Sequence, residues 1–549
     1  MTGLDRETRQ MILETWDDFV KKSLPLEYLL ELDYKNEFPT EIIRQMNDPE
    51  VLGLHLLPIG EEYGGLGGGT FDIYRLKEAV SRVDLGIATS FFATFLGADP
   101  IMVGGTPEQK KYWFERMAEE GLILAYGATE PEAGSDLSAL KTKAVPVEEN
   151  GTLTGYKISG RKQWISNGGV AHVYTILAQT PKGATWFIVE EDAEGFEAEK
   201  PEDKHGIRSS HTSALVLEDV FVPLENMIGG QEGRGLLEAQ AVFGYTRVIV
   251  AAMGLGAGWR ALEIATRYSQ ERVVSGSPLA DKQAFTHKIL VPYAARLEAS
   301  RAAIEAVCER LDGGEEGLQT EGAIVKYLAT ETGNAAAESA IQALGGYGYT
   351  REFEVEKIKR DVRITTIYEG TSEILEWTVG RDRWQEHLKS AGNYYRNLAG
   401  EMVAVHEKDP NVGAGVVSIA LNALATILEY CRAQKLTRNQ HILFRLGEII
   451  SWIEVAMVFS ERAAAEEYTE TVKFDRDTWQ AMARLFAREA AQKVVFEGPR
   501  YIVGAGAADA AQLVTELGVG QVLQWNQGLI ADMDLVRDSL MKTFEGPET

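Results

Sequence analysis

The sequence predicts an α+β protein in which a β-rich segment separates two helical domains. In residues 1–121, apolar residues recur at three- and four-residue spacing, as in Ile12, Trp16 and Phe19, which is typical of amphipathic helices. From 122 to 232 the chain consists of short β-rich runs separated by Gly, Pro, Asn and Asp, and helical periodicity returns from 233 to 390. We therefore predict an N-terminal helical domain, a middle β-barrel or sandwich domain and a C-terminal helical bundle.

A fourth region, residues 391–549, is predicted to be an additional helical extension. It contains a linker-like stretch at 407–415, with Pro410 and two glycines, after which helical patterning continues almost to the end. The region holds 21 acidic and 15 basic residues, a net charge of −6, so it lacks the basic face suited to an anionic membrane. We expect it to cover the helical core or to replace a subunit contact.

Composition excludes several classes of function. The 549 residues carry a net charge of −27, a field that repels polyanions and disfavours nucleic-acid binding. The two cysteines, Cys308 and Cys431, have no metal-ligand spacing and are predicted to be core thiols. The start of the chain resembles neither a signal peptide nor a transit peptide, and uninterrupted apolar runs fall short of a membrane span. A cytoplasmic protein without a membrane span or a metal site is therefore expected.

Several nucleotide-binding and hydrolytic motifs are missing. No GxGxxG follows a predicted strand, and the chain contains no GxxxxGK[ST], no GxSxG and no HExxH. These absences weigh against Rossmann-type nicotinamide binding, P-loop chemistry, an α/β-hydrolase and a zinc protease. The candidates that remain are polar clusters at the ends of predicted elements.

Two of these clusters lie in the β-rich segment. Residues 126–136 (YGATEPEAGSD) could bring backbone amides and hydroxyls against a ligand, or could be a plain loop between domains. Residues 164–169 (WISNGG) place an aromatic ring and a hydroxyl before a turn, and an Asn-Gly pair is more often a hairpin turn than a site.

The third cluster, residues 367–373 (IYEGTSE), lies in the second helical domain. Glu369 follows an apolar and an aromatic residue and could occupy a dry pocket, where desolvation raises a carboxyl pKa toward that of a general base. Alternatively, Glu369 and Thr371 merely end one helix and cap the next.

In order and spacing, the three clusters resemble the acyl-CoA dehydrogenase family. The resemblance continues through residues 205–212 (HGIRSSHT), 218–226 (EDVFVPLEN), 272–283 and 342–346, and it covers roughly residues 30 to 390. It implies the family fold, non-covalently bound FAD, and oxidation of an acyl-CoA thioester to the 2,3-enoyl-CoA, with the β-hydride passing to flavin N5.

The resemblance also assigns residues to roles. Glu369 matches the catalytic base, whose main-chain amide helps hold the thioester oxygen, while Ser135 and Arg247 match CoA contacts. The alternative base position of some relatives is Thr246 here, and threonine cannot serve as that base. The residues assigned to FAD, some of them acting across a subunit interface, are Tyr126, Ala128, Thr129, Trp164, Ser166, Arg272, Gln283, Gln342, Gly345, Gly346 and Thr371.

Three positions depart from the family pattern. Ser275 stands where Phe is common, Gly244 replaces a frequent aspartate, and Glu373 stands where a glutamine often contacts the cofactor. Contacts to FAD and CoA are therefore expected to differ in detail.

The segment that resembles the family's acyl-pocket helix, residues 86–97, contains Phe91, Phe92 and Phe95 and no arginine. We expect an apolar acyl group, such as a branched, alicyclic or aryl chain, rather than a dicarboxylate, although the phenylalanines could simply pack the core. An electron-transfer flavoprotein is the expected acceptor, and a homodimer or homotetramer the expected assembly. The alternatives are an acyl-CoA oxidase, an enoyl-CoA reductase and a non-catalytic flavin-binding scaffold.

Overall fold

The structure, a computed structural model, describes residues 3–465 and 473–546. It forms two compact units, Met1–Ile249 with Cys308–Gly317 and Arg360–Ile364, and Val250–Val307 with Leu318–Lys359 and Thr365–Thr549. Helices flank a β-rich segment, which confirms the predicted fold class. The four-region division of the chain stays a prediction.

The first unit begins with six helices followed by a sheet. The helices are α1 Arg6–Ser23, α2 Leu26–Lys35, α3 Thr40–Asn47, α4 Thr70–Val83, α5 Leu85–Gly104 and α6 Pro107–Glu120. The strands are β1 Leu124–Gly127, β2 Lys143–Glu149, β3 Thr152–Ser166, β4 Val173–Thr180, β5 Gly183–Glu190, β6 Phe196–Ala198 and β7 Thr212–Pro223.

These strands form one seven-stranded sheet. Its order is β1-β4-β2-β3-β7-β6, with β5 paired to β4. β1 runs parallel to β4, whereas β3 is antiparallel to both β2 and β7. Tyr156, Ile158 and Phe187 pack in a core against the sheet, and a second core joins Trp186 of β5 to Trp113 of α6.

Helix α7, Gly235–Glu271, leads from the first unit into the second. The second unit has a short hairpin, β8 Val273–Val274 and β9 Ser277–Pro278, and five further helices before the extension: α8 Gln283–Ile289, α9 Val291–Asp312, α10 Gln319–Leu344, α11 Glu354–Val362 and α12 Ser372–Lys389. The last residues of α9 and α11 belong to the first unit.

The extension adds seven helices within the described residues: α13 Tyr394–Lys408, α14 Ala414–Ala433, α15 Gln440–Ala464, α16 Arg476–Gly504, α17 Ala510–Glu516, α18 Val519–Gln524 and α19 Leu529–Thr543. Buried ion pairs join it to the preceding helices. Arg383 of α12 contacts Glu454 of α15 at 2.8 Å, and Glu305 of α9 contacts Arg462 at 3.0 Å. The extension is therefore part of the second unit rather than a separate appendage.

Glycines allow α12 and α15 to approach closely. A Cβ on Gly447 of α15 would lie 2.0 Å from the carbonyl oxygen of Glu376, and a Cβ on Gly380 of α12 would lie 2.5 Å from that of Leu443. Neither position can hold a larger side chain without separating the helices.

Among the described helices, α5, α7 and α14 are long and apolar enough to cross a membrane by length and composition. Most of the apolar window of each is buried inside the protein: 83%, 89% and 67%, respectively. The sequence prediction considered uninterrupted apolar runs, whereas these helices qualify only when isolated polar residues are tolerated. The absence of a membrane span stays a prediction.

Both cysteines are buried, which confirms the prediction of core thiols. Burial raises the pKa of the Cys431 thiol to about 12, so the thiolate is disfavoured. Within residues 3–465 and 473–546, no three His, Cys, Asp or Glu side chains cluster as metal ligands.

Candidate active site

Tyr126 lies in β1, and the loop that carries Ala128 and Thr129 leaves the sheet at the end of this strand. The ring of Tyr126 packs against that of Trp186 at a tilt of 41°, with 4.9 Å between centroids. The carbonyl of Thr129 accepts a hydrogen bond of 2.9 Å from the Gln163 amide of β3. The loop is therefore held beside the strand that carries Trp164 and Ser166.

A buried ion pair between Lys162 and Glu130 holds the same loop against β3. The Lys162 ammonium, fully buried, lies 2.8 Å from Glu130 and donates to the carbonyls of Ala128 (3.2 Å) and Leu177 (2.6 Å). Burial lowers the pKa of Lys162 to about 8 although Glu130 opposes this shift. Burial alone would raise the pKa of Glu130, but Lys162 and the Thr142 hydrogen bond hold it below its ordinary value. Both groups therefore remain charged at neutral pH.

Sequence reasoning missed this pair. The signal available in the sequence was Lys162 itself. It lies four residues after the buried Ile158 in β3, so both side chains point to the same, buried face of the strand. A charge at such a position needs a partner, but the sequence does not show which acidic residue supplies it.

We expect Lys162→Met to destabilise the protein by about 3–5 kcal/mol, because Glu130 would keep a buried charge without its cation. Urea unfolding measures the change, and Lys182→Met, which removes an exposed lysine, is the control. Adding Glu130→Gln to Lys162→Met should recover part of the loss. Equal stability of Lys162→Met and the parent would contradict this account.

Trp164 lies at a β-bulge and faces solvent. The pairing of β3 with β7 shifts between Lys162 and Ile165, so β3 has one extra residue there. Trp164 has φ +57° and is 61% exposed. An exposed indole in the left-handed backbone region is uncommon and typical of a functional position.

The Asn-Gly pair after β3 does not form a hairpin. β3 pairs with β2 and β7, and β4 lies elsewhere in the sheet. Asn167 is instead buried with φ +60°, and its side-chain amide donates 2.9 Å to the carbonyl of Ser90 in α5. The turn therefore connects the Ser166 end of β3 to the N-terminal helices.

The residues assigned to CoA lie in two other elements of the first unit. Ser135 is exposed in the loop after the Glu130–Ala133 bridge. Arg247 lies partly buried on α7, where the neighbouring Tyr245 hydroxyl bonds to Asp99 of α5. Phe91, Phe92 and Phe95 of α5 are buried and stack edge-on, with centroids 5.0–5.2 Å apart.

Glu369 lies in a strained turn of the second unit. Its φ is +54°, and Gly370 follows with φ +94°. The fully buried Lys326 donates 2.7 Å to the Gly370 carbonyl, and Thr371 caps α12 by accepting from the Ile374 amide at 3.4 Å. The cap predicted for Thr371 is present, but capping does not explain why a glutamate occupies a left-handed position that favours glycine.

The residues assigned to the far end of FAD are exposed on the second unit. Arg272 follows α7, Gln283 begins α8, and Gln342, Gly345 and Gly346 lie at the end of α10. Ser339 of α10 donates 2.8 Å to the Ile289 carbonyl of α8, and the rings of Tyr268 and Tyr347 lie 6.5 Å apart. These contacts hold the ends of α7, α8 and α10 together.

Two departures from the family pattern have local explanations. Ser275 and Gly276 form the turn of the β8–β9 hairpin, with φ +50° and +86°. A two-residue turn of this kind needs left-handed residues, and phenylalanine is poorly suited to it. Glu373 lies in the first turn of α12, where a negative charge is favourable. Nothing in the structure explains Gly244.

Three family models match consecutive parts of the chain: the acyl-CoA dehydrogenase N-terminal domain at 6–121, the middle domain at 125–220 and the C-terminal domain at 233–382. A short-chain specific acyl-CoA dehydrogenase of Megasphaera elsdenii is 36% identical over 378 residues, which are 67% of this chain and 96% of the relative. The chain belongs to the acyl-CoA dehydrogenase family. This acyl-CoA dehydrogenase is an FAD-dependent oxidoreductase.

Other relatives differ in reaction or in length. A cyclohex-1-ene-1-carbonyl-CoA dehydrogenase of Geobacter metallireducens is 37% identical over 358 residues, and the match covers 64% of this chain and 92% of the relative. An acryloyl-CoA reductase (NADH) of Anaerotignum propionicum is 34% identical, covering 64% and 88%. A Bacillus anthracis acyl-CoA dehydrogenase solved with FAD is 25% identical with a TM-score of 0.82, and it covers 99% of this chain and 97% of its own. The fold of the Bacillus anthracis enzyme therefore matches this chain along its whole length, including the extension.

Proposed function

We propose that this acyl-CoA dehydrogenase removes the α-proton of an acyl-CoA thioester with Glu369 and yields the 2,3-enoyl-CoA. Bound FAD supplies the acceptor for the β-hydride. The observation that carries the assignment is the backbone of Glu369, a glutamate held at φ +54° between the buried Lys326 contact and the α12 cap. Such strain, of about 1–3 kcal/mol, persists where the surrounding structure imposes it and is common at active sites.

The residues of the chain fit FAD. An exposed indole at Trp164, the hydroxyls of Thr129 and Ser166, and the loop of Tyr126 and Ala128 offer an aromatic surface with hydrogen-bonding groups for a flavin ring. For the pyrophosphate and adenosine we propose the exposed second-unit residues together with Thr371: Arg272, Gln283, Gln342, Gly345 and Gly346. Arginine is suited to a pyrophosphate because its guanidinium forms paired charge-assisted hydrogen bonds.

For the acyl-CoA we propose contacts from Arg247 and Ser135, and an apolar acyl group. Residues 86–97 contain no arginine or lysine that could hold a second carboxylate, and the neighbouring Lys77 ammonium of α4 lies over the ring of Phe92, 4.9 Å from its centroid. The relative that acts on cyclohex-1-ene-1-carbonyl-CoA supports an alicyclic substrate. Branched and aryl chains belong to the same proposal.

An electron-transfer flavoprotein is the proposed acceptor, and the reaction of the reductase relative makes enoyl-CoA reduction the second candidate. We also propose a cytoplasmic homodimer or homotetramer. A non-catalytic scaffold has no need for a strained glutamate at position 369.

Anaerobic titration tests the proposed reaction. The purified holoenzyme is mixed with alicyclic, aryl, branched and straight-chain acyl-CoAs, and the oxidised-flavin absorbance is followed. Rapid bleaching by one acyl class supports dehydrogenation and identifies the substrate class. A protein that binds FAD but is bleached only by NADH, and then reoxidised by an enoyl-CoA, would instead favour the reductase; a protein without FAD would contradict both.

We expect Trp164→Ala to weaken FAD retention about tenfold, because an aromatic contact contributes about 0.5–1.5 kcal/mol beyond its buried area. Urea unfolding of the FAD-free protein should change little, because the indole is largely exposed. Trp377→Ala, an exposed tryptophan of α12, is the matched control. Equal FAD retention by Trp164→Ala and the parent would remove Trp164 from the proposed site.

A further inference from the structure

The last helix of the extension lies against the segment that begins α8. The Gln283 side-chain amide donates 3.1 Å to Oδ1 of Asp534 in α19, and Nε2 of His287 lies 3.3 Å from the same oxygen. The Arg537 guanidinium lies 3.6 Å from Asp534 and partly compensates its charge. A single carboxylate of the extension thus contacts α8 at both Gln283 and His287.

The chain after α19 contacts the end of α7 in the same way. The Gln270 side-chain amide donates 3.1 Å to the Phe544 carbonyl, and the Arg267 guanidinium donates 2.5 Å to the Gly546 carbonyl. Phe544 is buried, with its ring 6.2 Å from that of Trp259. These contacts fix α7 up to Glu271, the residue that precedes Arg272.

Residues 272–283 are therefore held at both ends by the extension. Between the ends lies the exposed β8–β9 hairpin, tied to Arg272 by a 2.9 Å hydrogen bond from the Leu279 amide to the Arg272 carbonyl. Ordering a long exposed side chain costs up to about 2 kcal/mol of conformational entropy. A contact that orders Gln283 before the ligand arrives removes that cost from binding.

The hydrogen bond to Asp534 leaves Gln283 able to bind a ligand. A glutamine has two N–H donors and one carbonyl acceptor, and the contact with Asp534 uses one donor. The second N–H and the carbonyl oxygen stay available in a fixed orientation. A phosphate oxygen of a nucleotide can accept from the N–H, and a ribose hydroxyl can bond to either group.

We infer that Asp534 is a positioning residue for the cofactor site, and that α19 and the chain after it present Gln283 and Arg272 to FAD. This inference rests on the proposed function, which assigns both residues to FAD. It gives the extension a specific role, the retention of the cofactor. The Bacillus anthracis relative solved with FAD has a chain that aligns along 97% of its length and so is compatible with this role.

FAD release from the purified full-length holoenzyme tests the inference. After dilution, free FAD is separated by ultrafiltration and measured for Asp534→Ala, Gln283→Ala and the double variant. We expect Asp534→Ala to raise the dissociation constant by about tenfold, because FAD must then bear the ordering cost of Gln283, which is up to about 2 kcal/mol. Gln283→Ala should raise it by about tenfold or more, since a hydrogen bond to a charged group contributes about 1.5–3 kcal/mol. The double variant should be no weaker than Gln283→Ala alone, because Asp534 acts through Gln283.

Two variants of the same helix separate positioning from folding. Asp534→Asn keeps the acceptor oxygen and should retain FAD nearly as the parent does, and Asp538→Ala removes an exposed carboxylate whose contact is with Arg537. Parent-like release by Asp534→Ala, or additive effects in the double variant, would overturn the inference. If Gln283→Ala releases FAD like the parent, the assignment of Gln283 under the proposed function fails instead; a parent without FAD contradicts the proposed function as a whole.

Discussion

Glu369→Gln is expected to lower the rate of flavin bleaching by acyl-CoA by about 10²- to 10⁴-fold, the range that a positioned general base contributes. Glutamine has nearly the shape of glutamate, so the Lys326 contact with Gly370 and the Thr371 cap should persist. Stopped-flow absorbance without oxygen measures the rate, and the absorbance of bound FAD shows whether the cofactor remains.

The matched control is Glu386→Gln, which changes a half-exposed carboxylate of α12 whose contact is with Lys389. It should bleach at the parent rate. If Glu369→Gln bleaches at the parent rate as well, the α-proton is removed by another group. A variant that lost FAD would show that Glu369 is needed for the fold of the turn, and Glu369→Asp would then separate the two effects.

Removing residues 391–549 is expected to leave no soluble, folded second unit. Buried groups before residue 390 have partners beyond it: Arg462 pairs with Glu305, Glu454 pairs with Arg383, and the Trp479 indole donates to Glu298 at 3.2 Å. Arg383 keeps Glu321, and Glu298 keeps Arg301, after the deletion, so the larger loss is the apolar packing of α10 and α12 against α15. Together with the weakened ion pairs, this loss is expected to outweigh the net stability of about 5–15 kcal/mol that is usual for a folded domain.

Expression yield, circular dichroism and thermal unfolding measure the effect of the deletion. Two point variants probe the same packing without shortening the chain. Gly447→Ala places a Cβ 2.0 Å from the Glu376 carbonyl and should lower stability by about 1–3 kcal/mol. Gly400→Ala, at a helical position where an added Cβ meets nothing within 4 Å, should be neutral or stabilising. A soluble 1–390 protein with a cooperative unfolding transition would contradict the dependence on the extension.

Shorter relatives match only the part of this chain that precedes the extension. The Megasphaera elsdenii relative is covered over 96% of its length by 67% of this chain, so such proteins have no counterpart to most of the extension. In this chain the face of α12 that packs against α15 carries the buried Glu376 and Arg383. Their partners are Arg445 and Glu454 of α15. The expectation that the extension replaces a subunit contact stays a prediction.

The local patterns were sufficient to predict that a β-rich segment separates helical regions, whereas the roles assigned to the three segments stay predictions. Apolar spacing in α1 reflects which side of the helix is buried, and this information is local. The Tyr-Glu-Gly-Thr segment and the Trp-Ile-Ser segment were recognisable by resemblance. Long-range partners were not predictable, since Lys162 and Glu130 are 32 residues apart and Arg383 and Glu454 are 71 apart.

The local backbone geometry of the site could not be predicted from the sequence either. An Asn-Gly pair suggests a hairpin, but the strand order places β4 away from β3, and strand order is a property of the whole sheet. The bulge that exposes Trp164 depends on the register with β7. The link between Gln283 and Asp534 depends on how the extension packs, for which residues 272–283 carry no signal.

The left-handed backbone at Glu369 limits how the folding stability of this protein could be raised. Glycine adopts φ near +54° without a steric penalty, whereas glutamate does not. Selection for folding stability alone would therefore favour glycine at position 369, next to Gly370. Under the proposed function the carboxylate of Glu369 is the base, so a substitution that relaxed the backbone strain at this position would also remove the proposed base.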